Sequence, residues 1–289
     1  IKPAGLIFQA HWMLKTTMRV RFWGVRGSIP CPGPATIRYG GNTPSIEVRC
    51  GERILIFDAV TGLRSLGLEL LKENKIRDND IFITHCHLDH VSGLPFFAPF
   101  FREDYRVRVW AGNLTPSNSI EHVMRKLMSS PWFPVPMEIF RAKMEFRDFK
   151  SGEVLRPHED VVLRTAFLDH PDGTNGYRLE YGGRVLALLC DTEGFPGKRD
   201  AEMVSLARRA DLAVYDATFT EGEITSKAGW GHSTWMRGVH LANEADVKHL
   251  CLFHHDPSHD DDFMDKLAAE ANDARAGTIT AREGQIIDL

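Results

Sequence analysis

The sequence predicts an α/β protein in which a mixed β-sheet is covered by helices. Pairs of short apolar strands alternate with segments of helical spacing along the chain, and no stretch repeats internally. The chain has 289 residues, 43% of them apolar, which is enough to bury a substantial core. We expect one domain over residues 18–289, preceded by residues 1–17 as an N-terminal extension or a cloning remnant.

The first part of this domain supplies strands and one helix. Residues 18–24 and 45–59 have strand patterns, and the second range is a hairpin that turns at Gly51 and Glu52. Leucines recur at helical spacing over residues 62–74, which predicts a helix. Residues 80–85 are expected to form a short buried strand.

The middle of the chain combines a helical pattern with a proline-rich segment. Residues 113–128 are expected to be partly helical. Residues 129–140 contain three prolines among large apolar side chains, so they cannot form a regular helix. We predict a loop that either roofs the functional site or forms the contact of a homodimer.

The second half of the chain continues the alternation of strands and helices. Residues 161–170 have a strand pattern, and residues 177–191 form a hairpin that turns at Gly182 and Gly183. The remaining predicted elements are a helix over 200–210, a strand over 212–219, a helix after Ser233, a strand over 249–255 and a helix from about His259.

Composition excludes several classes of protein. The net charge of -4 and the pI near 6.4 give no global basic surface for long-range nucleic-acid binding. No apolar run approaches the roughly 18 residues of a membrane span, and the N-terminus lacks the order of a secretory signal. The five cysteines are scattered and odd in number, which indicates reduced thiols. We therefore expect a cytoplasmic protein.

Residues 85–90, His-Cys-His-Leu-Asp-His, place three histidines and an aspartate directly after the apolar run at 81–83. Imidazole nitrogens and carboxylate oxygens are zinc ligands. A chain that leaves a strand and turns can direct His85 and His87 one way and Asp89 and His90 another. This arrangement suits two adjacent metal ions.

The motif resembles the H-x-H-x-D-H signature of the metallo-β-lactamase superfamily, and the resemblance covers essentially residues 18–289. It implies an αββα sandwich of two mixed β-sheets flanked by helices, with two divalent ions, zinc or else manganese or iron. It also implies His170, Asp191 and His254 as later ligands. The implied set is His85, His87 and His170 for one ion, Asp89, His90 and His254 for the other, and Asp191 as the bridge.

Other histidines offer alternatives for the later ligands. His158 lies in a polar run that has the character of a solvated loop. His255 follows His254, so its side chain points to the opposite side of the strand, where it either supports the site or is exposed.

A further acidic cluster follows near the last helix. His259 and residues 260–262 could form another metal site. We favour instead a helix start in which Ser258 is the cap and Asp261 completes a capping-box-like pair, because acids stabilise that end of a helix.

Residues 229–235, Gly-Trp-Gly-His-Ser-Thr-Trp, contain a His-Ser-Thr element that resembles the phosphodiesterase branch of the superfamily, including ribonuclease Z. The resemblance implies that His232 lies beside the scissile phosphate and pairs with an acid, here Asp216. Ribonuclease Z usually has glutamate at that position, so the shorter side chain leaves direct pairing open. The alternative is that Ser233 only caps the next helix.

Two further stretches bear on the substrate. Residues 85–94 resemble the start of the class II cyclic-nucleotide phosphodiesterase signature, and residues 21–45 resemble bacterial enzymes near the phosphoribosyl cyclic phosphodiesterases. In the second stretch Arg26, Gly41 and Asn42 could hold a phosphate or a ribose, or else form ordinary turns.

The residues before the first predicted helix carry one departure from the superfamily pattern. Asp58 matches the buried aspartate that orients the histidine loop. Val60 stands where related sequences usually have glycine, and it would be strained if that position needed a positive φ.

These resemblances imply a hydrolase in which metal-activated hydroxide attacks phosphorus, with Asp191 bridging the metals and with His232 and Asp216 assisting the leaving oxygen. The leading hypothesis is a phosphodiesterase for a small or cyclic-nucleotide diester. A ribonuclease Z-like RNA endonuclease is disfavoured, because no long basic arm lies between His90 and His170. The third hypothesis is a weakly catalytic metal-bound sensor or interaction protein.

Overall fold

A computed structural model describes residues 17–193 and 198–289, and its strands form two seven-stranded mixed β-sheets that face each other. Helices pack on the outer face of each sheet. The predicted αββα sandwich is therefore confirmed. Residues 1–16, most of the predicted extension, lie outside the described residues, and the division at residue 17 stays a prediction.

The first sheet is built from the N-terminal strands and the last strand. Its strands are β1 (Met18–Gly24), β2 (Ser45–Cys50), β3 (Arg53–Phe57), β4 (Asp78–Ile83), β5 (Arg106–Gly112), β6 (Lys143–Phe149) and β14 (Ile286–Asp288). They lie in the order β14-β1-β2-β3-β4-β5-β6. The pairs from β14 to β3 are antiparallel, and those from β3 to β6 are parallel.

The second sheet is built from the C-terminal half. Its strands are β7 (Val154–His158), β8 (Val161–Leu168), β9 (Thr174–Tyr181), β10 (Arg184–Leu189), β11 (Leu212–Asp216), β12 (His249–Phe253) and β13 (Ile279–Thr280). They lie in the order β13-β12-β11-β10-β9-β8-β7. Both β8 and β10 are antiparallel to β9, so these two run in the same direction, and β11 and β12 continue parallel to β10.

Helices flank the two sheets. They are α1 (Thr61–Glu73), α2 (Leu88–Val91), α3 (Ile120–Leu127), α4 (Lys198–Ala207), α5 (Trp235–Glu244) and α6 (Asp261–Ala274). The first sheet packs its outer face on α1, α2 and α3, and the second sheet packs on α4, α5 and α6. Large buried rings, including Phe57, Phe82, Tyr177 and Phe253, fill the space between the sheets.

Helix caps differ from one prediction, that of Ser258, and from one alternative, that of Ser233. The cap of α5 is Thr234, whose side chain accepts from the Arg237 backbone N–H, rather than Ser233. The cap of α6 is Asp260, which accepts from the Phe263 N–H, rather than Ser258. Thr234 and Asp260 both have the extended backbone conformation that a capping residue needs.

The residues that were predicted as caps have other partners. Ser233 Oγ is 2.8 Å from the Tyr215 hydroxyl, and Ser258 bonds to Asp256. Asp261 is buried and accepts from the backbone N–H groups of Arg38 and Tyr39. Ser233 and Asp261 thus make tertiary contacts and Ser258 makes a local one, so the capping-box prediction was wrong.

The proline-rich segment 129–140 is irregular apart from a short 3-10 turn at Met137–Ile139, as predicted. Met137 is buried among the apolar side chains of α1 and α3, and the Phe133 ring centroid is 5.7 Å from that of Phe96. Trp132 is 81% exposed. The segment thus covers the outer face of the first sheet, and the homodimer contact stays a prediction.

None of the described helices is both long and apolar enough to span a bilayer. The cytoplasmic location stays a prediction. All five cysteines are free thiols, as expected.

A buried charge network closes the end of the sandwich opposite the carboxyl end of β4. Asp80 on β4 accepts two hydrogen bonds from Arg108, at 2.6 and 2.8 Å, and one from Trp110 at 2.8 Å. His158 Nε2 on the facing sheet is 2.9 Å from the same carboxylate. His158, considered above as an alternative ligand or a loop residue, is thus part of β7 and links the two sheets.

This network predicts that Asp80→Asn destabilises the protein by about 3 kcal/mol at neutral pH, because the nearly buried Arg108 loses the buried Asp80 carboxylate and is left with the half-exposed Asp78, 2.7 Å away. Burial alone would raise the pKa of Asp80, but Arg108 and His158 outweigh it and lower that pKa. The extra stability is therefore present above the unfolded-state value of about 4 and is lost as the pH falls through the lower folded value.

Urea unfolding of the wild type and Asp80→Asn at several pH values checks this prediction. Asp288→Asn is the control, because its exposed pair with Arg19 should contribute less than about 1 kcal/mol. An equal loss in the two variants would contradict a special role for the buried network.

Candidate metal centre

The candidate centre lies where strands that share one direction end. Asp58 follows β3, and residues 84–90 follow β4 in the first sheet. In the second sheet His170 follows β8, Asp191 follows β10, and His254 follows β12. Because β8, β10 and β12 run the same way, their carboxyl ends meet at one edge of the sandwich. The topology thus brings together residues that are far apart in the sequence.

Three histidines form the first ligand cluster. The His87 Nδ1 atom is 3.0 Å from His85 Nε2 and 3.1 Å from His170 Nε2. His85 and His170 are buried, whereas His87 is partly exposed. Three ring nitrogens converge on one small volume, which is the arrangement that a cation requires.

Asp89, His90, Asp191 and His254 form the second cluster, with ligand atoms within 4.8 Å of one another. The Asp191 Oδ2 atom is 3.1 Å from His90 Nε2 and 3.3 Å from His254 Nε2. Asp89 Oδ2 is 3.4 Å from His90 Nε2, and it accepts from the Ser28 backbone N–H at 2.9 Å. The structure therefore brings together all seven residues that the sequence predicts as ligands.

Asp58 fixes two of these histidines from outside the cluster. Its Oδ2 atom is 2.9 Å from His90 Nδ1. The Thr84 hydroxyl donates to the same carboxylate at 3.0 Å, so its oxygen is free to accept from His85 Nδ1, 3.2 Å away. Both rings are therefore held by Nδ1 and turn Nε2 inward, as the outer contacts of metal-binding histidines do.

The Asp216 carboxylate of the second sheet holds one histidine directly and a second through a threonine, as Asp58 does in the first sheet. Its Oδ2 atom is 3.0 Å from His232 Nδ1, and its Oδ1 atom accepts from the Thr218 hydroxyl at 2.7 Å. Thr218 Oγ1 is 3.0 Å from His254 Nδ1, which turns His254 Nε2 toward Asp191. The shorter aspartate thus pairs directly with His232, a point that the sequence left open.

Two glycines allow the rings to approach the backbone. Gly231 has a positive φ of 86°, and its carbonyl accepts from His170 Nδ1 at 2.8 Å. A Cβ at Gly231 would lie 2.0 Å from that nitrogen, and a Cβ at Gly27 would lie 2.4 Å from the His254 ring. Both positions therefore require glycine.

Protonation in the clusters favours cation binding. Burial, together with the neighbouring His90, lowers the pKa of His85 well below its ordinary value, and burial also lowers the pKa of His170. Burial alone would raise the pKa of Asp191, but His254 and His90 hold it well below its usual range. Burial alone would also lower the pKa of His90, but Asp191 and Asp58 outweigh it and raise that pKa well above its ordinary value. Neutral imidazoles are therefore a property of His85 and His170 in the first cluster, beside the ionised Asp191.

Two buried atoms at the centre lack a hydrogen-bond partner among the described residues. They are Asp191 Oδ1 and His254 Nε2. An unpaired buried polar atom costs free energy, and a bound cation would satisfy both. The donor set of imidazole nitrogens and carboxylate oxygens therefore fits divalent ions such as zinc.

Arg26, Gly41 and Asn42, the tentative substrate contacts, have internal partners instead. Arg26 is fully buried and donates to the carbonyls of Gly40 and His259, and Asn42 bonds through its side chain to Glu283. A Cβ at Gly41 would collide with the backbone of Pro32. These contacts hold the loop before β2 in place, so we assign the three residues to the framework.

Two other residues differ from their predictions. His255 is fully buried, and its Nε2 is 2.9 Å from the Ala281 carbonyl, so the exposed alternative was wrong. Val60 has a φ of -118°, which is ordinary for a β-branched residue, so the strain hypothesis is also wrong. The left-handed position nearby is Asp58, with a φ of 59°.

Sequence reasoning missed the two threonines and the two glycines that orient the rings. Thr84 directly precedes His85, and Thr218 is two residues after Asp216, so proximity to predicted site residues was the available signal. For Gly27 and Gly231, the sequence offered no signal beyond their occurrence in glycine-rich stretches.

Comparison with known proteins identifies related chains. A family model described as a beta-lactamase superfamily domain matches residues 52–255. Ribonuclease Z of Pyrococcus furiosus is 26% identical over 286 aligned residues, which cover 83% of this chain and 87% of the relative.

Solved structures share the fold. The metallo-beta-lactamase fold protein YhfI of Bacillus subtilis has a TM-score of 0.72 and 18% identity, covering 95% of this chain and all of its own. The short form of human tRNase Z has a TM-score of 0.67 and 20% identity, covering 93% and 98%. A diphosphatase of the PhnP family has a TM-score of 0.67 and 19% identity, covering 93% and 97%.

The two clusters predict that the purified chain binds close to two equivalents of divalent metal and that binding raises the melting temperature. His254→Ala should lose about one equivalent. His249→Ala is the matched control, because that exposed histidine lies on β12, the strand that His254 follows, and should leave the metal content unchanged. Elemental analysis and thermal unfolding, with and without a chelator, provide the measurement. One equivalent or none in reconstituted wild type would contradict a binuclear centre.

Proposed function

The chain belongs to the beta-lactamase superfamily, and on that premise we propose that it hydrolyses a small or cyclic-nucleotide phosphodiester with the help of two divalent ions. Membership confirms the resemblance noted in the sequence and the expectation of a metal-dependent hydrolase. The substrate, the metal and the role of each residue belong to the proposal.

The observation that carries the proposal is the His232 and Asp216 pair beside the ligand clusters. Metal-binding residues serve every reaction of such a site, whereas His232 is an additional ionisable group 3.8 Å from Asp191. Burial alone would lower the pKa of His232, but Asp216 outweighs it and raises that pKa to about 9. A histidine that keeps its proton at neutral pH suits a reaction with a basic leaving oxygen.

The ligand residues divide as the two clusters do. His85, His87 and His170 would hold one ion, Asp89, His90 and His254 would hold the other, and Asp191 would bridge them. Nitrogen-rich ligand sets favour zinc over harder ions. Bound ions at such a site supply a nucleophile generated from water and neutralise charge on the phosphoryl oxygens.

The other residues of the chain orient groups and move a proton. Asp216 holds His232 by Nδ1, which leaves Nε2 as the nitrogen that donates a proton to the departing oxygen. The carboxylate also stabilises the charged ring before transfer. Asp58 and Thr84 keep His85 and His90 aligned throughout the reaction.

The preference for a small diester over RNA depends on the chain between His90 and His170. All of residues 91–169 are described, and they form β5 to β8, α3 and short turns that pack on the sheets rather than a projecting arm. Acidic and basic side chains are nearly balanced in this stretch. An RNA-gripping arm would need excess positive charge.

An RNA endonuclease remains the second candidate because the relatives named ribonuclease Z match most of this chain. The weakly catalytic sensor loses its one hint, because Val60 has an unstrained backbone.

A substrate panel on the metal-loaded protein tests the proposed function. We expect turnover of bis-p-nitrophenyl phosphate and of at least one 2′,3′- or 3′,5′-cyclic nucleotide, with loss of activity under chelation. Cleavage of precursor transfer RNA without turnover of any cyclic nucleotide would favour the second candidate. Inactivity toward every diester at two bound metals per chain would exclude both.

The role of His232 predicts a leaving-group effect. His232→Ala should lower kcat about 100-fold on a diester with an alkoxide leaving group and much less on a p-nitrophenyl ester, which hardly needs protonation. KM should change little, because the proton is transferred in the transition state.

Metal content must be measured in the same preparations to separate this role from metal binding. His240→Ala is the control, since His240 is an exposed histidine on α5. If His232→Ala keeps full activity toward the alkoxide-leaving diester at normal metal content, the proton-donor assignment is wrong.

A further inference from the structure

Trp230 is held at the rim of the centre by the residues on both sides of it. The Gly229 N–H donates to Glu193 Oε1 at 2.5 Å, and Glu193 is a buried residue two positions after Asp191. On the other side, the Gly231 carbonyl accepts from His170 Nδ1 at 2.8 Å. The backbone at Trp230 is therefore positioned by the ligand-bearing segments themselves.

The Trp230 side chain nevertheless projects into solvent. It is 56% exposed, while Trp235 in the same seven-residue motif is buried in the core under α5. A large apolar ring that a fixed backbone keeps in water gives up the free energy that burial would provide. Packing thus accounts for Trp235 but not for the placement of Trp230.

Neighbouring side chains brace this ring and connect it to the centre. The Lys227 ammonium lies 3.9 Å from the Trp230 ring centroid, a cation–π distance. The Phe219 ring is 6.5 Å from Trp230 and 5.8 Å from His232. Phe219 is buried, so it forms a fixed link between the exposed indole and the proposed proton donor.

We propose that Trp230, braced by Phe219 and Lys227, is a stacking subsite for the nucleobase of a nucleotide diester. An aromatic face binds any base by stacking, and Lys227 adds a positive charge beside a substrate that carries a negative phosphate. The inference rests on the proposed phosphodiesterase function and narrows its substrate to diesters that carry a base next to the scissile phosphate.

Two substrates with the same leaving group isolate the subsite: thymidine 5′-(p-nitrophenyl phosphate) and methyl p-nitrophenyl phosphate. Trp230→Ala should raise KM roughly 10-fold on the thymidine ester, because stacking is lost, and should leave the methyl ester unchanged. Trp230→Phe should recover most of the difference. Phe101→Ala, which removes an exposed ring elsewhere, is the control for both substrates.

The outcomes separate the subsite from the proposed function. Equal changes on both esters, or no change on the thymidine ester at normal metal content, would overturn the subsite. If the wild type hydrolyses neither ester, that result bears on the proposed function, which the full diester panel decides, and quenching of tryptophan fluorescence by thymidine monophosphate still tests stacking. Quenching that is lost in Trp230→Phe supports the subsite, and quenching that persists unchanged, or is absent from the wild type, overturns it.

Discussion

Two buried carboxylates, Asp58 and Asp216, impose the constraint on which the centre depends. Each binds one histidine directly and a second through a threonine hydroxyl: His90 and His85 for Asp58, His232 and His254 for Asp216. A buried imidazole that must keep an inward nitrogen unpaired needs a strong outer partner. The two carboxylates satisfy that requirement for four rings, one pair from each sheet.

The sandwich makes this arrangement possible because its strands end together. Asp58 and Asp216 follow or end inner strands of the two sheets, and the aromatic residues between the sheets hold these ends in a fixed relation. Asp58 and His254 both have left-handed backbone conformations directly after a strand. Such positions cost free energy and occur where surrounding packing determines them, which is common at functional sites.

The sequence predicted the alternation of strands and helices, and one short motif holds the first four candidate ligands. The other three, His170, Asp191 and His254, came from the resemblance to the superfamily, and each follows an apolar strand. The sequence could not predict the links through Thr84 and Thr218, because these form only when strand ends meet. The cap of α6 was misassigned by two residues. The alternative that Ser233 caps α5 was wrong by one residue, since Ser233 contacts Tyr215, a distant partner that local patterns do not reveal. Arg26 was misjudged for the same reason: its partners are carbonyls far along the chain.

Residues 229–235 combine several of these functions in one short segment. Gly231 positions His170, His232 pairs with Asp216, Thr234 caps α5, and Trp235 packs in the core, while Trp230 is the side chain of this segment that faces solvent. If Trp230 contacts the substrate as proposed, that contact is coupled through two peptide units to His232, the proposed proton donor, and through the Gly231 carbonyl to the candidate ligand His170. Because the candidate ligands would serve every reaction of such a site, substrate selection would come from neighbouring residues, and this segment would join selection to the proposed catalysis without any intervening loop.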